Sequence, residues 1–197
     1  MTFRKEKKFR LTLSDQKIMK NWLISLGKIS LFPSRSISSA YFDTDNLEMF
    51  ADSEEGILPR KKIRVRWYEN KPSFKKETKV SSFEGRYKLS EEFLSHDFLS
   101  NFKSTILDCD YGLLRPIMIV SYSREYFLFK NLRITFDTNI RYRDLRSISC
   151  RALLDEECVM EIKTSDAVSD DYIEKIVPHS SSRFSKYSRG LLKLSSD

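Results

Sequence analysis

Glycine is scarce in this chain and never clusters: Gly27, Gly56, Gly85, Gly112 and Gly190 each stand alone. No Walker loop and no GxGxxG turn can be drawn from them, which excludes a Gly-rich cradle of backbone amides as a phosphate site. If phosphate is bound, Lys and Arg side chains bind it. Cysteine is equally sparse. Cys109, Cys150 and Cys158 are odd in number and lack CxxC spacing, so they read as free thiols in a reducing compartment, with neither a disulfide framework nor a metal cluster. The isolated His96 and His179 exclude HExxH zinc chemistry. No apolar run approaches the roughly 18 residues of a membrane span. Behind the charged start Met1-Thr2-Phe3-Arg4-Lys5-Glu6 there is no apolar stretch of the kind a secretory leader needs. The expectation is a cytoplasmic chain with no membrane insertion of its own.

What the chain has in abundance is charge. Its 197 residues carry 35 Lys+Arg against 28 Asp+Glu, a formal charge of +7. The length predicts one domain, 1–197, able to bury a core without disulfides or a metal staple. The basic balance points to a polyanionic partner: nucleic acid, a phosphorylated metabolite, polyphosphate or anionic lipid.

Pattern and punctuation predict an α+β fold rich in antiparallel strands. Strands are expected near 3–12, 37–43, 60–69, 73–80, 84–89, 116–129, 131–143 and 158–164, with a weak one at 147–153. A helix opens at Ser14 and closes at Gly27, with Ile18, Met19, Trp22, Leu23 and Leu26 on one face. Further helices are expected at 45–53, with Leu47 and Phe50 as apolar contacts, from Ser90 to about residue 103, at 170–177 and at 182–195.

Alternation within the strands sorts the charge. In 60–68 one face reads Arg60, Lys62, Arg64, Arg66, Tyr68 and the other Lys61, Ile63, Val65, Trp67. In 132–143 one face reads Arg133, Thr135, Asp137, Asn139, Arg141, Arg143 and the other Leu132, Ile134, Phe136, Thr138, Ile140, Tyr142. Glu161 and Lys163 alternate with Met160 and Ile162, while Arg4, Glu6 and Lys8 share a face. A solvated outer surface explains one such strand. Recurrence in several, with Arg dominant and acids single, fits a sheet closed around a polar lumen and covered outside by helices. Like charges facing one another there would repel unless a polyanion or a metal sat between them.

The ordered segments Arg4-Lys5-Glu6-Lys7-Lys8-Phe9, Ala40-Tyr41-Phe42-Asp43-Thr44, Lys62-Ile63-Arg64-Val65-Arg66-Trp67-Tyr68, Glu77-Thr78-Lys79, Tyr122-Ser123-Arg124-Glu125-Tyr126, Arg133-Ile134-Thr135-Phe136-Asp137, Met160-Glu161-Ile162-Lys163 and Ser185-Lys186-Tyr187 closely resemble the VTC domain of polyphosphate polymerases. That domain belongs to the triphosphate tunnel metalloenzyme (CYTH-like) superfamily. The resemblance implies an antiparallel tunnel β-barrel of about eight strands, with helices packed outside and a C-terminal helix closing one end. It implies ATP and polyphosphate as ligands and Mn²⁺ or Mg²⁺ as cofactor. By the same resemblance Arg4, Lys8, Arg64, Arg66, Lys79, Arg124, Arg133, Lys163, Ser185 and Lys186 bind phosphate. Lys8, Arg64, Arg66, Glu161 and Lys186 carry catalysis. Glu161 is the principal metal ligand, with Glu6 and Glu77 as helpers.

The sequence departs from the family in three respects. Arg4 takes the first acidic position of the wider superfamily's ExExK motif, as in VTC-type members. An extra basic pair, Lys75-Lys76, leaves Lys79 and Lys88 competing for one role. The regulatory domain and membrane helices of eukaryotic polymerase subunits have no counterpart here, so coupled export would need a membrane-protein partner. Phosphoryl transfer asks mainly for positioning and charge neutralisation, and no general base is evident. The expected activity is transfer of the terminal phosphate of ATP to polyphosphate. A triphosphatase or another triphosphate-processing enzyme, and a non-catalytic polyphosphate-binding module, are the alternatives. Flat docking on nucleic acid is disfavoured, because Trp67, Phe136 and Tyr142 alternate away from the basic face.

Overall fold

A computed structural model describes residues 4–69, 71–94, 98, 102–147 and 151–196, with the side chains of Arg4, Lys71 and Pro72 outside the description. Ten strands and four helices are described: β1 Arg4–Leu11, α1 Leu13–Ser25, β2 Ile29–Asp43, α2 Glu48–Glu55, β3 Arg60–Tyr68, β4 Lys71–Ser82, β5 Gly85–Glu92, β6 Ile106–Asp108, β7 Gly112–Phe129, β8 Leu132–Asp144, β9 Ala152–Leu154, β10 Cys158–Ser165, α3 Asp170–Ile176 and α4 Lys186–Ser195. Hydrogen bonding orders the sheet β1-β10-β8-β7-β2-β3-β4-β5, with β6 on β7 and β9 on β8. The pairs β1–β10, β10–β8, β2–β3, β3–β4, β4–β5 and β6–β7 are antiparallel, and tight connections join the strands of the last three.

The chain forms two compact units. The first comprises Met1–Ser36, Tyr122–Ile140 and Leu154–Phe184; the second comprises Ile37–Ser121, Arg141–Leu153 and Ser185–Asp197. In the first, Phe9, Leu11, Leu132, Ile134, Phe136, Met160 and Ile162 form an apolar strand face, on which α1 buries Met19 and Leu23 and α3 buries Ile173 and Ile176. In the second, Ala40, Phe42, Ile63 and Val65 pack with Met49 of α2 and with Phe98, Leu114 and Ile119. Apolar alternation in β3 thus leads to the core in the predicted phase, with Ile63 and Val65 buried. The exception in that row is Lys61, whose ammonium is held by Asp108 at 3.0 Å and Asp110 at 2.6 Å.

Several elements differ from the sequence expectation for identifiable reasons. Thr12, not Ser14, caps α1: Asp15 N donates to Thr12 Oγ1 at 3.0 Å and Thr12 N donates back to Asp15 Oδ2 at 3.3 Å, a capping box. The cap sets a buried stripe of Gln16, Met19 and Leu23. Ile18, expected in the core, is therefore 65% exposed, and Trp22 is half exposed with its indole N–H donating to Ile176 O. In α2, Met49 is the buried anchor, while Leu47 takes a left-handed N-cap conformation.

The helix expected from Ser90 begins instead as strand. Glu91 and Glu92 stand opposite Lys76 and Lys75 and extend β5, and Lys76 pairs with Glu91 at 2.8 Å. The rest of that expected helix falls largely outside the described residues, although Phe98 is buried. The weak strand expected at 147–153 is described only from Ala152 to Leu154, and residues 148–150 lie outside the description. Residues 182–184 precede α4 without joining it, with Ser182 N donating to Lys8 O.

In β8 Asn139 adopts φ 52°, yet the predicted apolar face stays buried on both sides of it, at Ile134, Phe136, Ile140 and Tyr142. Beyond it, within the second unit, Arg143 lies over the Phe102 ring at 5.0 Å instead of joining a charged row. Tyr142 is fully buried beside Met118 and Gly190 of α4. A Cβ at Gly190 would meet Tyr142 Cδ1 at 2.5 Å and Met118 Sδ at 2.6 Å. Overpacking of this kind costs about 1–3 kcal/mol, against roughly 1 kcal/mol gained in helix propensity. Gly190→Ala is expected to melt a few degrees below the wild type in a thermal scan. An unchanged or higher Tm would show that α4 is not seated this closely.

Candidate functional site

Each unit carries its own polar cluster. In the first, the antiparallel register sets Lys8 opposite Glu161 and Glu6 opposite Lys163, and Glu161 and Lys163 in turn opposite Thr135 and Arg133. These residues share the face away from the apolar core. The Lys163 ammonium touches Glu161 at 2.7 Å and Glu6 at 3.6 Å, and Lys8 touches Glu6 at 3.2 Å. Lys8 also donates to Phe184 O at 3.1 Å. Glu161 is only 8% exposed. Burial pushes its pKa up, but Lys163, Arg124 and Lys8 outweigh that and hold it at about 2. Arg124 forms a two-point fork on the buried Asp137 at 2.5 and 2.6 Å, the geometry in which Arg binds carboxylate or phosphate best. Arg133 is exposed on β8, and Arg4 opens β1 opposite Ser165.

In the second unit three strands build a basic face. Lys62, Lys79 and Lys88 stand in one cross-strand row, Arg64, Glu77 and Ser90 in the next, and Arg66, Lys75 and Glu92 in the third. This register resolves the competition left by the sequence: Lys79 and Lys88 are direct neighbours on one face, and Lys75 extends the same face beyond Arg66. Glu77 is 4% exposed at its centre. Its Oε2 accepts from Arg64 Nε at 2.7 Å and Nη2 at 2.5 Å, and its Oε1 accepts from Lys88; Arg66 stands 3.8 Å away. Burial raises the Glu77 pKa, Arg64 and Arg66 pull it down more strongly, and it settles at about 2.

Tyr41, opposite Arg64, accepts from Arg64 Nη1 at 3.1 Å. Burial works to raise its pKa, but Arg64 and Arg66 bring it to about 8. Ser185 caps α4 and accepts from Lys62 Nζ at 3.0 Å, and Lys186 is the first residue of that helix. A recess of about 190 Å³ is lined by Arg66, Tyr68, Ser73, Lys75, Glu77, Lys88 and Ser90.

The repulsion expected between facing cations is thus relieved inside each unit by the protein's own acids. The sequence assigns Asp137 and Lys62 no role, and Lys88 only as a rival to Lys79. The signal for Asp137 is a single acid in an Arg-rich strand, and for Lys62 it is parity on β3. Among the described residues, one trio of acidic or thiol groups brings its ligand atoms within 4.8 Å of one another, Asp108, Cys109 and Asp110, and Lys61 already occupies it. The Glu6–Glu161 pair offers a different donor set: two carboxylates both touched by one ammonium, with the hard oxygen chemistry that suits Mg²⁺ or Mn²⁺ and not zinc. These oxygens are the kind of donor a divalent cation takes, and Lys163 now satisfies them.

These ion pairs predict the acid limit of the fold. Glu77 and Glu161 have folded pKa values below the usual 4.5, so the stability they contribute is complete above about pH 4.5 and is lost as pH falls toward 2. Urea unfolding followed from pH 6 to pH 2 is expected to show a midpoint that drops steadily below pH 4.5. A midpoint flat through that range would contradict the pairing.

Among the described residues no helix is long and apolar enough to cross a membrane. No curated protein matches the chain by sequence. Solved structures match its fold. A candidate adenylate cyclase from Bacillus halodurans aligns with TM-score 0.57 at 14% identity over 92% of this chain and 95% of that one. A candidate adenylyl cyclase from Hippeastrum, in which triphosphatase activity dominates, aligns with TM-score 0.57 at 13% identity over 97% and 96%. A protein of Pyrococcus horikoshii aligns with TM-score 0.55 at 13% identity over 98% of each chain. With these proteins the chain shares its fold. A family model described as the VTC domain matches residues 3–195, and with nearly the whole chain inside that match the protein belongs to the VTC domain family.

Proposed function

We propose that the protein is a metal-dependent polyphosphate polymerase that moves the terminal phosphate of ATP onto a growing polyphosphate chain. The observation that carries this reading is the basic face of β3, β4 and β5, where Lys62, Arg64, Arg66, Lys75, Lys79 and Lys88 surround the central acid Glu77, with Glu92 at one edge. One nucleotide triphosphate does not use so many cations; a polyanion of many phosphates does. Lys8, Arg124, Arg133, Lys163 and Arg4 supply phosphate ligands in the other unit, and Ser185 and Lys186 supply them at the head of α4.

In the reaction a terminal oxygen of the acceptor chain attacks the γ-phosphorus. The bond from that phosphorus to the β,γ-bridging oxygen breaks and ADP leaves with the electron pair. The attacking oxygen is already anionic, so no proton has to be removed and no general base is needed. Arg and Lys neutralise the phosphate oxygens and orient the two chains for in-line transfer. Glu161 and Glu6 would hold Mn²⁺ or Mg²⁺, which when bound adds charge stabilisation at the transferring group.

The second reading is a triphosphatase, favoured by the dominant activity of the Hippeastrum protein of the same fold. The two differ in the acceptor: water for a triphosphatase, a phosphate chain for a polymerase. A primer experiment separates them. With ATP and Mn²⁺, short polyphosphate is expected to shorten the lag before chains appear on a gel, because it fills the acceptor track directly. Primer that leaves the time course unchanged while free phosphate accumulates would favour the triphosphatase.

A further inference from the structure

Asp43 is fully buried at the end of β2. Its Oδ1 accepts from Thr44 N at 2.7 Å and Met49 N at 2.9 Å, and its Oδ2 accepts from Phe50 N at 3.0 Å. Met49 and Phe50 lie in the first turn of α2, whose N-cap residue Leu47 makes no side-chain cap. Asp43 therefore caps that helix from the preceding strand, satisfying amides that would otherwise be orphaned. A further donor reaches Oδ2 from elsewhere: the hydroxyl of Tyr187. Tyr187 is the second residue of α4 and is 2% exposed. Its ring stacks on Tyr41 at 5.1 Å and meets Phe50 edge-on at 6.2 Å. The next residues back along the chain are Lys186 and the helix cap Ser185, to which Lys62 donates.

We propose that the Asp43–Tyr187 bond is a latch that seats the first turn of α4 and so positions Ser185 and Lys186 for their work on phosphate. This rests on the reading of Ser185 and Lys186 as phosphate ligands. Ring packing alone leaves the helix free to turn a little about its axis. A directed bond from the tip of the Tyr187 ring to a buried carboxylate does not. The carboxylate itself is anchored by backbone amides, so the reference point is rigid. Tyr187 is thus a positioning residue, acting through its two neighbours. Tyr187→Phe is the informative change, because the stack and the three amide bonds to Asp43 survive and no buried charge is stranded.

Hydrogen exchange and activity together test the latch. In free Tyr187→Phe protein, the Ser188 and Arg189 amides, which bond to Ser185, are expected to exchange about tenfold faster or more, while β3 amides keep their protection. Turnover of ATP into polyphosphate is expected to fall about tenfold, in kcat more than in KM. Combining Tyr187→Phe with Lys186→Ala should cost less than the product of the two single losses, since Tyr187 acts in part through that lysine. Asp43→Asn should reproduce the exchange signature if it folds. Unchanged exchange in Tyr187→Phe, or losses that multiply in the double variant, would overturn the proposal. Absence of any ATP turnover by the wild-type protein would instead refute the proposed function, and the exchange arm would still decide on the latch.

Discussion

Glu161→Gln is expected to keep polyphosphate bound while lowering turnover about 10²–10³-fold, the scale of one lost electrostatic contribution at a transition state. The expectation follows from what surrounds Glu161. Its carboxylate is almost wholly buried on β10, and Lys163, Arg124 and Lys8 keep it ionised. Exchange for an amide preserves shape and removes the charge that would hold a divalent cation beside Glu6. The cations remain and lose one carboxylate partner, so affinity for a polyanion should hold or increase. Tripolyphosphate titration by calorimetry and a Mn²⁺-dependent turnover assay on the same preparation separate the two effects. Near-normal Mn²⁺-dependent turnover would move the metal to Glu6 or Glu77. Of these, Glu77 is already committed at both oxygens to Arg64 and Lys88, which favours Glu6.

The double substitution Arg64→Ala with Arg66→Ala is expected to abolish turnover and to remove most of the thermal shift caused by tripolyphosphate. The sequence alone suggests that deleting two facing cations relieves repulsion and spares or stabilises the fold. The ion pairs reverse that expectation. Arg64 holds Glu77 through two short bonds and Arg66 stands close behind. Without them a buried carboxylate keeps only Lys88, and breaking a buried pair from one side costs about 3–5 kcal/mol. The ligand-free protein should melt roughly 5–15 °C lower. Adding Glu77→Gln should recover much of that loss without restoring activity. A tripolyphosphate shift that survives the double substitution would remove this strand from the phosphate site.

The face pattern of β3 was legible because apolar and basic residues alternate there without interruption, and Ile63 and Val65 reach the core as their parity requires. The same parity holds in β8 for Ile134, Phe136, Ile140 and Tyr142, but not for Arg143, which lies over the Phe102 ring. A local signal also fails where long-range pairing overrides it. Ser90-Glu91-Glu92 looks like a helix start, yet Lys75 and Lys76 across the ladder hold it as strand. The α1 cap was readable, as Thr12 precedes Asp15 by three residues, but Ser14 masked it. The partners of Glu77 could not be read at all. They depend on cross-strand register, and the register of β4 is ambiguous in a sequence with Lys75, Lys76, Lys79 and Lys88 so close together. Tyr187 and Asp43 were visible as members of separate segments, but only the fold brings them together.

The most direct test of the central claim is a phosphate balance on one reaction. Purified protein is incubated with ATP and Mn²⁺, and ADP, free phosphate and chain phosphate are measured together. The polymerase account predicts that chain phosphate equals the ADP formed, with little free phosphate and a ladder of products on a gel. Free phosphate equal to ADP, with no ladder, would contradict it.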